Sequence, residues 1–448
     1  MCMRGVARVS QSDENDRGNK FINDERTVRS QSHFYLTSAA AAALHKYQYA
    51  GADLSLIYKY ILSPLALFLV NNATPRTMAP NTITLAGLCL MFAAYCIVWY
   101  FCPNLDEYYV TPASIPGWIF AFNCASMVIY QTLDNMDGKQ ARRTGSSSPL
   151  GLMFDHGCDA VNSIFGSANW IAAMGLSTVD DSLTIWALII GPMAAFYVTT
   201  WEEYYTGELI LPIINGPSEG LLMGAMLSLV SALMGAEFWH GMDAYDGVIV
   251  PYVIPNLPTL AKDLIPENGI RNCDLIAIAA VVALAHEMIF KALYVCRKYG
   301  SKAMLNLLPF LILAFGTLWI GTMDPSILVR NPRTCMHLIS ALFVEMVTQL
   351  MLDHMTAQDF KPYRASLAPF CVLAVLVSGG LLSDELVDDY LLTFTVGIWV
   401  YLFMKIRVTI HEISCALGIW CFDIITSRPD QANAGQPTNE QVKLLKVT

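Results

Sequence analysis

Charged residues are scarce in this sequence. Only 14% of its 448 residues are Asp, Glu, Lys or Arg, whereas 55% are hydrophobic. An ordinary soluble domain carries about 25% charged residues, so this composition excludes a typical water-soluble protein. It predicts instead an integral membrane protein that crosses the bilayer several times.

Basic stretches, disulfide frameworks and zinc-binding spacings are also missing. The net charge is −10 and no run of Lys and Arg occurs, so nucleic acid is not an expected partner. The twelve cysteines are scattered, and many lie in apolar segments, where a thiol behaves as a small hydrophobic group. Residues 1–33 contain no apolar signal-peptide core. We expect two mobile cytosolic tails, residues 1–38 and 426–448.

Long apolar runs, by contrast, are abundant. A helix needs about 20 apolar residues to cross the bilayer core. Ten windows meet this length, near residues 82–102, 115–138, 150–174, 183–201, 217–236, 274–295, 303–323, 335–356, 365–383 and 390–409. The sequence therefore predicts an all-α, polytopic membrane protein with about ten transmembrane helices. Residues 39–79 mix aromatic, basic and apolar side chains, which favours interfacial amphipathic helices, although an additional short span is the alternative.

Basic residues fall on alternate sides of the predicted spans. With a cytosolic N-terminus, the loops on that side contain Lys139, Arg142, Arg143, Arg297, Lys298, Lys302, Lys361, Arg364, Lys405 and Arg407. The opposite loops are rich in Asp and Glu. Because cytosolic loops carry an excess of Lys and Arg, both termini are predicted to be cytosolic.

Four aspartates flank the connection between the second and third predicted spans. Asp134, Asp137, Asp155 and Asp159 occupy the frame D-x2-D-G-x2-A-R-x8-G-x3-D-x3-D. Spacings of three and four residues place each pair on one helix face, and a short connection lets the two faces meet. Carboxylates at a bilayer are costly unless they are paired, hydrated or bound to metal. The simplest occupant is a pair of divalent cations.

The residues between these aspartates predict a phosphate-bearing substrate. Oxygen donors favour Mg²⁺, Mn²⁺ or Ca²⁺ over zinc, and Mg²⁺ usually keeps substrate phosphate in its shell. Gly138 and Gly151 have no side chains where the two helices approach and where a ligand can lie against the backbone. Ala141 has only a small side chain on the same surface. Arg142 can bind phosphate oxygens with its planar guanidinium, and Lys139 is a weaker candidate. Together they point to a diphosphate.

Other features near the spans have simpler interpretations. Residues 145–149 predict a turn, with Ser148 and Pro149 starting the third helix. Arg143 is expected to be a positive-inside anchor. Three glutamates are expected to be solvated or helix-dipole residues: Glu202, Glu203 and Glu219.

The segment DNMDGKQARRTGSSSPLGLMFDHGCD carries every fixed position of the CDP-alcohol phosphotransferase signature. In particular, the chain resembles the eukaryotic choline/ethanolamine (aminoalcohol) phosphotransferases. The flanking segments HKYQYAGADLSLIYKYILSP, APNTIT and WEEYYTGELILPIINGPSEG agree with this resemblance. The similarity runs from Tyr47 to Gly220, and the later spans match mainly in number and hydropathy.

The resemblance implies transfer of phosphoethanolamine or phosphocholine from CDP-ethanolamine or CDP-choline to diacylglycerol, with release of CMP. It implies residence in the endoplasmic reticulum or Golgi, with the active site facing the cytosol. By position, two ions, Mg²⁺ or Mn²⁺, would bind Asp134, Asp137, Asp155 and Asp159. The nucleotide would contact Asn81, and its diphosphate would contact Gly138, Ala141 and Arg142. Asn81 could also act as a helix N-cap.

Two residues compete for the role of general base. His156 resembles the histidine assigned as proton acceptor in the eukaryotic branch, and imidazole titrates near neutral pH. Asp159 occupies the position given that role in the wider family. Many relatives have Glu four residues before the histidine, where it can orient the ring, but this chain has Leu152 there. The substitution weakens the case for His156 and strengthens that for Asp159.

The resemblance also divides the chain into expected regions. Residues 80–300 would form the catalytic helices, and residues 301–425 would form supporting helices that could hold a homodimer together. One alternative is a CDP-alcohol phosphotransferase with another acceptor, such as inositol. Another is a cation transporter, although the acids cluster at one membrane edge and no inverted repeat is evident. No residue distinguishes choline from ethanolamine.

Overall fold

A computed structural model of the chain describes residues 34–256, 258, 262, 265, 266, 268–426 and 428. The predicted tails lie mostly outside these residues. The longer α-helices are α1 Ser38–Leu44, α2 Ser63–Asn72, α3 Pro80–Phe101, α4 Trp118–Thr144, α5 Pro149–Met174, α6 Ser182–Thr206, α7 Leu221–Met234, α8 Asn272–Tyr299, α9 Leu308–Met323, α10 Pro332–Met355, α11 Ala368–Ser378 and α12 Asp384–Leu417.

Short helical segments and one small sheet connect these helices. The segments are Tyr58–Leu62, Glu107–Val110, Pro112–Ser114, Gly216–Gly220, Glu237–His240, Tyr245–Val253, Ile254–Asn256, Ser301–Leu307, Ile327–Arg330 and Ala365–Leu367. Strands β1 Gly51–Asp53 and β2 Leu209–Leu211 pair in parallel. This pairing ties the segment before α2 to the segment after α6.

The predicted all-α membrane class is confirmed. Each of the ten apolar windows contains one helix, from α3 to α12. Within the described residues, seven helical segments are long and apolar enough to cross a membrane: Pro80–Phe101, Ser182–Thr206, Gly216–Met234, Asn272–Tyr299, Ser301–Met323, Pro332–Met355 and Asp384–Leu417. Helices α4 and α5 are long but carry the polar candidate residues, and α11 has only 11 residues. The count of about ten crossings therefore remains a prediction.

A tight turn joins α4 to α5, as the sequence predicts. Gly145 ends α4 with a φ of +69°, a conformation that glycine adopts without steric cost. Ser148 caps α5 because its hydroxyl accepts a hydrogen bond from the Gly151 N–H at 3.2 Å. Pro149 then occupies the first turn, where its missing N–H is not needed. This turn places the two aspartate pairs side by side.

Contacts at the two ends of the bundle show that α3 runs antiparallel to both α4 and α10. At one end, the start of α3 meets the end of α4, where the Thr84 hydroxyl donates a hydrogen bond to Asp137. At the other end, the start of α10 meets the end of α3, where Arg333 donates a hydrogen bond to the Pro103 carbonyl at 2.8 Å. Helix α10 runs through the centre, since most of its residues are buried.

Candidate active site

The structure brings the four motif aspartates together between α4 and α5. Asp134, Asp155 and Asp159 each offer one carboxylate oxygen, and these three oxygens lie within 4.8 Å of one another. Asp137 lies one turn along α4, and Asp155 is within hydrogen-bonding reach of both Asp134 and Asp137. The two aspartate-bearing helix faces therefore meet.

The unsatisfied oxygens of this cluster fit a divalent cation. Asp134 Oδ1 and Asp155 Oδ1 are buried and have no hydrogen-bond partner among the described residues. Buried carboxylate oxygens without donors are unfavourable, and neighbouring carboxylates repel each other when ionised. Oxygen ligands from several carboxylates are the donors that Mg²⁺ and similar cations prefer.

Two hydroxyl groups that the sequence analysis missed hold the other carboxylates. Thr84 donates a hydrogen bond to Asp137, and Tyr130 donates one to Asp159. A signal for both was present, because Thr84 lies three residues after Asn81 and Tyr130 lies four residues before Asp134. Such spacings place polar side chains on the same helix face as a predicted site residue.

His156 lies next to the aspartate cluster but outside its three-oxygen group. The residue is buried, its Nδ1 is 3.6 Å from Asp155 Oδ2, and this nitrogen has no hydrogen-bond partner among the described residues. Its ring lies 6.1 Å from the Phe196 ring, centroid to centroid. Leu152 packs among apolar side chains instead of supplying an orienting carboxylate. Asp155 is thus the carboxylate nearest to the imidazole on its own helix.

The basic residues of the motif have different surroundings. The Arg142 side chain is exposed and free to meet a ligand. The Lys139 ammonium lies 5.2 Å from the Tyr58 ring centroid and 3.4 Å from its hydroxyl. Arg143 donates hydrogen bonds to the carbonyls of Val70 and, at 2.9 Å, Thr74. It therefore fastens the end of α4 to the end of α2.

The expectation that Gly138 and Gly151 let the two helices approach is wrong. In the described structure, a Cβ atom at Gly138 would meet only the Arg142 side chain, at 3.7 Å. At Gly151 it would lie 3.6 Å from Asn81 Oδ1 and Ser148 Oγ. These are ordinary contacts, and none involves the facing helix of the pair. That a ligand lies against these glycines stays a prediction. The same holds for the prediction that the small side chain of Ala141, which is half-buried, leaves room for the ligand.

Asn81 contacts the segment that follows α12. Its side-chain amide donates a hydrogen bond to the Cys421 carbonyl at 2.9 Å, and the next residue, Phe422, packs edge-on against Phe154 of α5 at 5.4 Å. The N-cap of α3 is Ala79, so the alternative role of Asn81 as N-cap is wrong. The C-terminal segment thus borders the predicted nucleotide position.

Glu202 and Glu203 are not solvated, contrary to the sequence-based expectation. Glu203 is 1% exposed, and both its carboxylate oxygens lack a hydrogen-bond partner among the described residues. Glu202 forms an ion pair with Lys291 of α8 at 2.5 Å. Glu219 fits the expected helix-end role, since it accepts a hydrogen bond from the Asn215 N–H at 3.0 Å.

Tyr49 is half-exposed and lies within electrostatic range of both Glu203 and Asp155. Burial of its phenol, followed by the charges of Glu203 and Asp155, raises the pKa of Tyr49 to about 12. Arg142 opposes this shift. The Tyr49 hydroxyl is therefore protonated at neutral pH and available as a hydrogen-bond donor beside the motif.

Comparison with known proteins identifies the family. The pattern of the family described as CDP-alcohol phosphatidyltransferase matches residues 77–249. The chain is also 31% identical to choline/ethanolaminephosphotransferase 1 of Arabidopsis thaliana, over 87% of this chain and 98% of that relative. The chain belongs to the CDP-alcohol phosphotransferase family.

Further relatives extend this family assignment. The chain is 27% identical to choline/ethanolaminephosphotransferase 1 of Saccharomyces cerevisiae, over 88% of this chain and 99% of the relative. It is 34% identical to cholinephosphotransferase 1 of Xenopus laevis, over 47% and 51% of the two chains. The predicted resemblance is confirmed, and the relationship continues well beyond Gly220. Members of this family depend on metal ions, which agrees with the aspartate cluster.

Proposed function

We propose that this protein transfers phosphoethanolamine or phosphocholine from CDP-ethanolamine or CDP-choline to the hydroxyl of diacylglycerol and releases CMP. The observation that carries the proposal is the convergence of motif aspartates from α4 and α5, with three carboxylate oxygens within 4.8 Å of one another. Relatives that match most of the chain are named for this pair of aminoalcohols.

Asp134, Asp137, Asp155 and Asp159 would hold two divalent cations, Mg²⁺ or Mn²⁺. When bound, such cations neutralise diphosphate charge and stabilise CMP as the leaving group. The unpartnered oxygens of Asp134 and Asp155 support this role. Hydrogen bonds from hydroxyl groups fix the rotamers of the other two aspartates.

The nucleotide and its diphosphate would lie against the first turns of α3 and α5 and the last turns of α4. Asn81 would contact the cytidine, while Gly138, Ala141 and Gly151 would leave room for the diphosphate. The exposed Arg142 guanidinium would bind phosphate oxygens. Lys139 would add positive charge from beside Tyr58.

We assign His156 as the general base. Asp159 already accepts a hydrogen bond from Tyr130 and offers an oxygen to the metal cluster, whereas His156 lies outside that group and keeps a buried nitrogen unpartnered. Its imidazole would take the proton from the lipid hydroxyl. The hydroxyl oxygen then forms a bond to the β-phosphorus as the bond from that phosphorus to CMP breaks.

In the membrane, α3 to α12 would provide ten crossings, with the aspartate cluster at the cytosolic side of the endoplasmic reticulum or Golgi. Residues 39–79 would lie in the interface, and diacylglycerol would approach from within the bilayer. Helices α9 to α12 would support a homodimer. The antiparallel directions of α3 and α4, and of α3 and α10, support this arrangement.

CMP release by the purified full-length protein in detergent tests the proposal. The assay combines diacylglycerol with CDP-ethanolamine or CDP-choline, with and without Mg²⁺ or Mn²⁺. We expect CMP only when donor, lipid and metal are all present. Absence of CMP from both donors across metals and lipids would overturn the proposal. Release only with CDP-diacylglycerol and inositol would favour the other acceptor class.

A further inference from the structure

One buried carboxylate near the aspartate cluster has no role in the mechanism above. Glu203 lies near the end of α6, is 1% exposed, and has two oxygens without a hydrogen-bond partner among the described residues. It does not belong to the three-oxygen group that could hold a metal ion. Burying an unpaired carboxylate is strongly unfavourable. The position therefore favours a positively charged partner at this carboxylate.

Glu203 lies beside a second unsatisfied group, His354, whose ring contacts two aromatic rings. Nε2 of His354, on α10, lies 3.9 Å from Glu203 Oε1 and also lacks a hydrogen-bond partner. The Tyr47 ring packs edge-on against the His354 ring at 5.5 Å, and the Tyr204 ring lies 6.3 Å from it. A carboxylate and aromatic rings attract primary and quaternary ammonium groups alike, so a preference between them has to come from hydrogen bonds.

Besides His354, two basic side chains of the described residues lie near Glu203, and each has another role. Lys291 pairs with Glu202 at 2.5 Å and lies 3.7 Å from Glu287. His156, which is near enough to interact electrostatically with Glu203, is the proposed proton acceptor and must be uncharged before it takes the proton. Neither residue supplies a permanent counter-charge to Glu203.

We propose that Glu203 and His354 form the binding subsite for the ammonium group of the CDP-aminoalcohol, and that this subsite prefers the primary ammonium of ethanolamine to the trimethylammonium of choline. This inference rests on the proposed function. His156 connects α6, which carries Glu203, to the aspartate cluster, because its ring lies 6.1 Å from the Phe196 ring of α6 and its Nδ1 lies 3.6 Å from Asp155 Oδ2.

The preference follows from the number of hydrogen-bond donors. A primary ammonium has three N–H donors. Both Glu203 oxygens lack donors here, and His354 Nε2 is a third unpartnered atom, which accepts a hydrogen bond when Nδ1 carries the ring proton. A trimethylammonium has no N–H and would leave all three unsatisfied. Sites built to hydrogen-bond a polar group discriminate strongly against an analogue that lacks it.

Binding measurements separate this inference from the proposed reaction. Isothermal titration calorimetry of the full-length protein with Mg²⁺ and without diacylglycerol gives affinities for CDP, CDP-ethanolamine and CDP-choline. We expect CDP-ethanolamine to bind wild type about tenfold or more tightly than CDP-choline. Glu203→Gln should weaken CDP-ethanolamine about 10- to 100-fold, remove the preference and leave CDP affinity unchanged.

Two further variants distinguish a role of Glu203 in binding from a role in protein structure. Glu208→Gln makes the same change of charge at an exposed position just after α6, and should behave as wild type. His354→Phe keeps a ring against Tyr47 and Tyr204 but removes the acceptor nitrogen. It should weaken CDP-ethanolamine and leave CDP affinity unchanged.

Several results would overturn the inference. One is that wild type binds CDP-ethanolamine and CDP-choline with equal affinity. Another is that Glu203→Gln keeps the preference for CDP-ethanolamine, or that it weakens the affinity for CDP as much as the affinity for CDP-ethanolamine. Unchanged affinities with a lower kcat for both donors would mean that Glu203 orients His156 instead. If wild type binds CDP-ethanolamine selectively but releases no CMP, the proposed reaction fails while the subsite stands.

Discussion

At the scale of single residues, the metal-binding motif depends on side chains outside it. The motif supplies carboxylates, but hydroxyl groups of Thr84 and Tyr130 determine how two of them point. Outer-shell partners of this kind commonly affect metal affinity or activity 10- to 100-fold. The site is therefore larger than its sequence signature.

Asp155→Asn should abolish measurable transfer. Asp155 contacts both Asp134 and Asp137 and has an unpartnered buried oxygen, so the amide would remove charge and a ligand at the centre of the cluster. Loss of several kcal/mol of charge stabilisation lowers CMP release by at least about 100-fold. Mg²⁺ should raise the melting temperature of wild type but not of the variant. Asp246→Asn, at an exposed position, is the control, and wild-type rates in Asp155→Asn would refute the metal assignment.

Thr84→Val should lower CMP release about tenfold or more. The valine has nearly the same shape as threonine but cannot donate a hydrogen bond to Asp137. Thr84→Ser keeps the hydroxyl and should retain most of the activity, measured over a series of Mg²⁺ concentrations. Equal activity of the valine and serine variants would show that the hydrogen bond has no part in the site.

The sequence was sufficient for residues whose role depends on local spacing, and insufficient for those whose role depends on a distant helix. The convergence of the four aspartates follows from helix periodicity and a short turn. The burial of Glu203 does not, because it depends on α10 and on the segment before β1, which are remote in sequence. Sequence spacing shows that Leu152 replaces the glutamate that many relatives have four residues before the histidine. It does not show which carboxylate lies nearest to His156.

At the scale of helices, hydropathy located every helix from α3 to α12 but not its ends. Helix α4 extends to Thr144, beyond the predicted residue 138, and α12 runs from Asp384 to Leu417, beyond both limits of the predicted 390–409. Hydropathy reports the part of a helix that is in contact with lipid. Helix ends depend instead on capping, and both of these helices end at a glycine with a positive φ.

Ser148→Ala should destabilise the start of α5 and therefore the position of Asp155. Loss of an N-cap hydroxyl costs about 1 kcal/mol, which thermal unfolding should register as a lower melting temperature. Ser147→Ala is the matched control, because Ser147 is exposed and directly precedes the cap. An equal effect of the two substitutions would contradict the capping role of Ser148.

At the scale of the whole molecule, one buried ionic network joins the C-terminal helices. Glu345 of α10 forms ion pairs with Arg364, before α11, and with Lys405 of α12 at 2.7 Å. It also accepts a hydrogen bond from Ser366 at 3.2 Å. In this network one carboxylate lies between two cations. Without the charge of Glu345, two buried positive charges would have no counter-charge in the network.

Glu345→Gln should therefore destabilise the protein strongly. Breaking a buried pair from one side leaves uncompensated charge and costs about 3 kcal/mol or more. Thermal unfolding in detergent measures the effect, with Glu385→Gln at an exposed position of α12 as the control. A melting temperature equal to that of the control would show that the network does not stabilise the bundle.

The two ends of the bundle also carry different charge patterns, which bears on orientation. At the end opposite the aspartate cluster, acids neutralise two of the described arginines: Arg271 pairs with Asp181 at 2.5 Å and Arg330 with Asp324 at 2.8 Å. Arg333, at the same end, is buried and donates hydrogen bonds to backbone carbonyls. The exposed Arg142, in contrast, lies at the cluster's end. An excess of unpaired positive charge marks the cytosolic side, so the loop between α7 and α8 should be lumenal.

Glycosylation tests this orientation in cells. Asn72, Ala73 and Thr74 already form an N-glycosylation acceptor sequence, but they lie beside Arg143 at the cluster's end, so we expect no glycan on the wild type. Pro258→Thr would create a second acceptor sequence at the exposed Asn256, and this variant should gain a glycan that endoglycosidase removes. Pro258→Ala controls for loss of the proline. Modification at Asn72, with none at Asn256 in Pro258→Thr, would reverse the proposed topology, because oligosaccharyl transfer occurs only on the lumenal side.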